Sequence, residues 1–186
     1  MKVVLALGDV ITAEADALLM TIDGTTRSPE GVPAWGNVGQ ATRKKWTEFW
    51  LEIESRLDLP IELGDARIVD MSDNVFEDAP PWKFFVALSG LDHSGTSEHF
   101  EEHLHGAVMR GLNDLAFYRP RSIISTLPSG FWRVKPEMAL NFVESARRRF
   151  IKWDTTWIVY ERNNDNFEEL IPLAKRFGWS VQDTSK

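Results

Sequence analysis

Short apolar runs, each closed by a turn-forming residue pair, punctuate this chain. Val3 to Leu7 is unbroken and ends at Gly8-Asp9, so it reads as a buried strand. Ala17 to Ile22 repeats the pattern and ends at Asp23-Gly24. Trp82 to Leu88 ends at Ser89-Gly90, and Arg121 to Leu127 is closed by Pro128-Ser129-Gly130. Thr156 to Tyr160 makes a fifth apolar strand, and Trp179-Ser180-Val181 a short last one. Gly64 to Met71 alternates instead, with Ala66 and Ile68 on one side, as in a strand with two unlike faces.

Between these runs the period changes to that of a helix. Ala41, Trp46, Phe49, Trp50, Ile53 and Leu57 mark a helix from Val38 to about Leu57, stopped by Pro60. Phe100, Leu104, Ala107, Val108, Gly111, Leu112 and Leu115 form one face of a long helix. Ala139, Phe142, Val143, Ala146 and Phe150 form another stripe, entered at Pro136, where a first turn tolerates proline. Phe167, Leu170, Ile171, Ala174 and Phe177 mark a last helix, expected to bend or restart at Pro172. Thr25 to Pro33 reads as a loop. Strands alternating with helices predict a three-layer α/β/α sandwich around a mostly parallel, mixed central sheet. No repeat or linker divides residues 1–186, so one domain is expected.

Composition narrows this picture. At 186 residues and 43% apolar, the chain holds enough material for one core. A formal charge of −7 disfavours general nucleic-acid binding, although backbone amides can still cradle a small anion. The absence of cysteine removes disulfides, thiolate nucleophiles and cysteine metal sites. The N-terminal apolar run is too short for a signal peptide, and no run is long enough to span a bilayer. A cytoplasmic protein without a membrane partner is expected. Most of the eight tryptophans are assigned to the core.

The candidate chemistry lies in three distant turns: Gly8 to Thr12, Gly36 to Gly39, and Pro128 to Trp132. Glycine-containing turns at strand ends let amides and helix N-termini approach an anion. Two such turns and an acid just after the first strand point to a pocket for a nucleotide-like diphosphate. Each turn also has a purely local explanation: Asp9 as an Asx-turn, Gly36 to Gly39 as a helix entry, Pro128-Ser129-Gly130 as an ordinary strand exit.

The order of the pieces resembles a macrodomain from about residue 3 to residue 177. Gly8-Asp9-Val10-Ile11-Thr12 is similar to the family's Gly-Asp-Ile-Thr element, and Asp16 to Asp23 to its Asp-Ala-Ile-Val-Asn-Ala-Ala-Asn strand. Gly36 to Ala41 resembles its Gly-Gly-Val-x-x-Ala loop and helix start. Gly64 to Val69 resembles its Gly-Glu-Ala-x-x-Thr strand, Ser129 to Trp132 its Ser/Thr-Gly-Ile-Tyr diphosphate loop, and Trp157 to Glu161 its final core strand.

The resemblance implies a site for ADP-ribose, free or on an ADP-ribosylated protein, with no cofactor or metal. It implies that Asp9 accepts from the adenine amine and that Val10 offers its N–H. Tyr160 would lie against the adenine ring, and Ser129, Gly130 and Phe131 would present amides to the diphosphate. Val38 and Gly39 would line the opposite wall, Trp132 would cover the distal ribose, and Asp23 would stand where the family has a ribose-contacting Asn.

The chain departs from the pattern at four points. Asn is replaced by Asp23, which accepts but does not donate when ionised. A loop Gly is Asn37, and the Gly after the loop aromatic is Arg133, whose planar fork suits phosphate. No acid stands near Gly39 to activate water. Three readings stay open: a binding module, a hydrolase of an ADP-ribosyl bond with Asp23 as catalytic base, and a degenerate domain acting as an interaction surface. The His99-Phe100-Glu101-Glu102-His103 pattern resembles a zinc-peptidase motif, yet His99 points away from the apolar stripe of its helix and reads as solvated surface. Glu98 to Glu102 and Arg147-Arg148-Arg149 read as solvated helix faces.

Overall fold

A strand buried on both faces must be apolar at every position, and Ala17–Asp23 obeys this almost throughout. In the computed structural model, which describes residues 1–24, 36–91, 99–128 and 134–183, this strand lies near the middle of a seven-stranded sheet. The strands are β1 (Lys2–Leu7), β2 (Ala17–Asp23), β3 (Ala66–Asp70), β4 (Phe84–Leu91), β5 (Ser122–Thr126), β6 (Thr156–Glu161) and β7 (Ser180–Asp183). Their order is β3-β4-β2-β5-β6-β1-β7. All neighbours pair in parallel except β3, which runs antiparallel to β4 at one edge.

Five helices cover the two faces: α1 (Gly36–Lys45), α2 (Thr47–Arg56), α3 (Phe100–Leu115), α4 (Pro136–Arg149) and α5 (Asn164–Arg176). The two-residue alternation of β2 sorts its side chains. Ala17 and Leu19 join the core under α3, α4 and α5, while Leu18, Met20 and Ile22 join the core under α1 and α2. The result is a three-layer α/β/α sandwich, as the pattern predicts.

Tryptophan fills both cores, and two of the most buried indoles pair their N–H groups. Trp157 donates to Ser125 Oγ at 2.9 Å and Trp50 to Glu54 Oε1 at 2.9 Å. Such pairing removes the cost of burying a polar N–H with the ring. Gly111 lets α3 settle onto the sheet. A Cβ there would stand 2.8 Å from Leu88 Cδ2 and 2.9 Å from Val86 Cγ1.

The structure corrects several expected elements. The helix expected from Val38 to Leu57 is two helices, broken at Trp46, whose backbone is non-helical. Trp46 is turned to meet the buried Trp82 edge-to-face at 5.4 Å. Strand β4 does not end at Ser89-Gly90 but runs through them to Leu91. Ser89 stays in the strand because it is tied down there: its N–H donates to Asp65 O and its Oγ to Ile61 O. Helix α5 is one element with Pro172 inside it. It is held at both ends, by Asn163, whose side chain accepts from Asn166 N at 3.0 Å, and by Gly178 at φ +75°, which ends it.

The Arg147-Arg148-Arg149 run is more than a solvated face. Arg147 and Arg148 both donate to Glu144, at 2.6 and 2.7 Å, and Trp179 Nε1 donates to the same carboxylate at 2.9 Å. Glu144 is only 4% exposed. Burial alone would push its carboxyl up, but the bonds from Arg147, Trp179 and Arg148 outweigh it and leave the pKa at about 2. This cluster fastens β7 to α4.

A carboxyl depressed from 4.5 to about 2 contributes stability above its unfolded pKa and loses it as pH falls through the folded one. Wild-type protein is therefore expected to lose roughly 3 kcal/mol between about pH 5 and pH 2 from this group alone. In Glu144→Gln, less stable at neutral pH because its arginines lose their charge partner, that part of the acid slope should vanish. Equal slopes in urea titrations of the two proteins across this range would contradict the assignment.

Candidate functional site

Parallel strands send all their C-terminal ends to one edge of the sheet, and ligands of such sheets bind there. Along this edge the order is β4, β2, β5, β6 and β1, which brings Asp23, Thr126, Tyr160 and Gly8-Asp9 into one row. From β2 to β1 is three strand spacings, about 14 Å.

At the β1 end, Gly8 N donates to Glu161 O at 3.0 Å, fixing the exit of the strand. The chain then makes a single 3-10 turn, Val10–Thr12. Asp9 caps it, its Oδ1 accepting from Ile11 N at 3.0 Å. Thr12 Oγ1 donates back to Asp9 O at 2.9 Å. The Asx-turn reading of Asp9 is therefore correct, and it accounts for one carboxylate oxygen. Asp9 remains half-exposed.

The turn packs against α1. Val10 is buried in the apolar cluster that also takes Val38 and Tyr160 at its margin. Gly39 is buried, and Thr42, one turn on, is locked by its hydroxyl to Val38 O at 2.8 Å. The first turn of α1 has backbone N–H groups without intrahelical partners, the property that suits a helix start to an anion. Tyr160 lies beside Ala6 of β1 and Thr126 of β5 in register. It is half-buried, and burial pushes its phenol above the ordinary range. Ile158, two residues earlier on the same sheet face, packs at the margin of that cluster too.

Asp23 closes β2 and is 2% exposed. The register with β4 shifts between Ile22 and Asp23, where the strand leaves the sheet. Gly24 follows in a tight spot, where a Cβ would stand 2.5 Å from Ser89 Oγ and 3.0 Å from Ile61 Cβ. Asp23 is thus set in a packed junction at the strand end.

Asp9, Val10 and Tyr160 lie at the ends of adjacent strands β1 and β6, α1 with Val38 and Gly39 packs on the turn after β1, and Asp23 is three strands along from β1. Ser129, Gly130, Phe131, Trp132 and Arg133 lie outside the described residues. The strand that leads to them, β5, ends on the same edge between β2 and β6. His99 and His103 lie on α3 and its cap with their rings 6.4 Å apart. Among the described residues no group of three or more metal-binding side chains forms. Nor is any helix among them long and apolar enough to cross a membrane.

No family model matches this sequence, and no curated protein matches it. Solved structures do. The macrodomain of DarG from Mycobacterium tuberculosis aligns with a TM-score of 0.63 at 14% identity, over 86% of this chain and 98% of that one. A single-residue variant of the Oceanobacillus iheyensis macrodomain aligns with a TM-score of 0.68 at 15% identity, over 92% of each chain. A second variant of that macrodomain, in a structure with ADPR, aligns with a TM-score of 0.63 at 13% identity, again over 92% of each chain. Identities this low carry the fold and nothing finer: the chain has a divergent macrodomain-like fold.

Proposed function

We propose that this protein binds ADP-ribose, free or attached to a partner protein, along the C-terminal edge of its sheet. The observation that carries the reading is the packing of the Val10–Thr12 turn against α1, with Tyr160 on the strand paired with β1. That arrangement sets an exposed acceptor, an aromatic wall and a helix start around one stretch of edge. An adenine amine needs the acceptor, its ring needs the wall, and a diphosphate needs unpaired amides. The solved macrodomain with ADPR is a similar fold holding that ligand. In this reading Asp9 accepts from the adenine amine through the oxygen not given to Ile11, and Val10 N–H donates to the ring. Val38 and Gly39 line one wall. Ser129, Gly130 and Phe131 supply amides to the diphosphate, Arg133 its charge, and Trp132 covers the distal ribose.

A second reading makes the protein a hydrolase of an ADP-ribosyl bond. Its support is the carboxylate of Asp23 at the end of β2, where a water held by the diphosphate would meet a general base. The burial of Asp23 in the Gly24–Ser89–Ile61 junction favours binding without turnover.

Calorimetric titration tests the binding. ADP-ribose at 100 times its Kd should also raise the unfolding free energy by about 2.7 kcal/mol. Asp9→Asn keeps an oxygen for Ile11 N but turns a donor toward the adenine amine. Binding should fall by about ten- to a hundredfold, with the melting temperature of the free protein nearly unchanged. An Asp9→Asn protein that binds like wild type would remove Asp9 from the site.

Position 23 separates the two readings. Asp23 is 2% exposed, so under the binding reading Asp23→Asn should leave affinity within about fivefold of wild type. Wild type should release no ADP-ribose from mono-ADP-ribosylated protein or O-acetyl-ADP-ribose. Turnover by wild type that Asp23→Asn abolishes would establish the hydrolase instead.

A further inference from the structure

At the opposite edge, where the parallel strands begin, exposed cations gather around the starts of β5, β6 and β1. Hydrogen bonds and packing contacts join the segments of this face into one surface. The Met1 ammonium donates to Phe150 O and Ile151 O, at 3.3 and 3.0 Å. Burial lowers its pKa, and Arg147 and Lys2 press in the same direction against Asp154. Thr156 N donates to Arg121 O, and Arg121 N to Asp16 Oδ2. Asp16 faces Lys83 at 3.8 Å, and Phe84 packs on Tyr118 at 4.8 Å. The surface crosses the starts of β4, β2, β5, β6 and β1, four spacings or about 19 Å.

Lys2, Arg119, Arg121, Arg148, Arg149 and Lys152 are all exposed on it. Arg148 gives its Nε to Glu144 yet remains 71% exposed. Besides Asp16, which accepts from Arg121 N and faces Lys83, the exposed acids of this edge are Glu14 and Asp154, with Asp70, Asp73, Glu77 and Asp78 beyond it where β3 ends beside the start of β4. In a chain of formal charge −7, this concentration of cations stands against the overall balance. The face also carries unusual apolar exposure. Five large apolar side chains are exposed among the described residues, and three are here: Phe117 at 82%, Ile151 at 61% and Tyr118 at 47%. Phe117 stands by the β4–β5 end and Ile151 by the β1 end, with Arg119 and Arg121 between them in the order of the strands.

We propose that this face docks on a lipid surface rich in anionic headgroups. Cations meet the negative leaflet while Phe117 and Ile151 enter the interfacial layer. A membrane surface engages two apolar tips set several strands apart among cations. A single nucleic-acid strand would leave the aliphatic Ile151 without a stacking role. The contact needs no membrane-crossing helix. It also turns the candidate ligand edge away from the bilayer, so it is independent of the ADP-ribose reading.

The test is co-sedimentation of the full chain with vesicles of phosphatidylcholine, with and without added phosphatidylserine. Binding is expected only with phosphatidylserine, and it should weaken steeply as salt rises toward about 1 M, where the screening length falls to about 3 Å. Arg149→Gln and Lys152→Gln should each lower partitioning about fivefold. Phe117→Ser with Ile151→Ser should lower it further, with melting temperatures unchanged because all four positions are exposed. No sedimentation of wild type with anionic vesicles at low salt would overturn the proposal without recourse to any variant. So would variants that bind like wild type, or tighter binding of a single-stranded oligonucleotide than of vesicles at equal charge.

Discussion

Burial of the parallel strands on both faces is the constraint from which the rest follows. Parallel neighbours cannot be joined by tight hairpins, so each pair needs a crossover, and crossovers place helices on the sheet. Strands β1, β2 and β4 answer with side chains that are apolar almost without break. Once the crossovers are made, every parallel strand ends at one edge. Distant stretches of chain are brought together there by topology, without any direct attraction between them. Asp9, Asp23 and Tyr160 share an edge for that reason.

Much of this is legible in the sequence because the signals are strong and local. The unbroken run at Val3 to Leu7 and the seven-point stripe on α3 admit one period each, and both elements form as expected. Errors arise where a tertiary contact overrides the local pattern. Nothing near Trp46 marks a helix break; the break follows from its contact with Trp82, distant in sequence. Ser89-Gly90 has the composition of a turn but remains strand because Asp65 and Ile61 supply its partners. The arginine run on α4 shows its second role only once Trp179 arrives at Glu144 from the far end of the chain.

The site divides in the same way. Asp9 was legible twice over, as a local cap and as an acceptor at a strand end, and the cap is present. The two roles coexist because a carboxylate has two oxygens. The burial of Asp23 was not legible, since it follows from where β2 ends beside β4, a neighbour distant in sequence. Nor was the basic face at the strand starts, because its cations come from three separate segments, only one of which contains a visible run.

The central claim is that one crevice along the C-terminal edge accepts a dinucleotide-like ligand end to end. A crystal soaked with ADP-ribose tests it most directly. The account expects density running from adenine beside Asp9 and Tyr160, past the end of β5, to the distal ribose near Asp23. Density at another surface, or an edge filled by the protein's own side chains with no ligand bound, would contradict it.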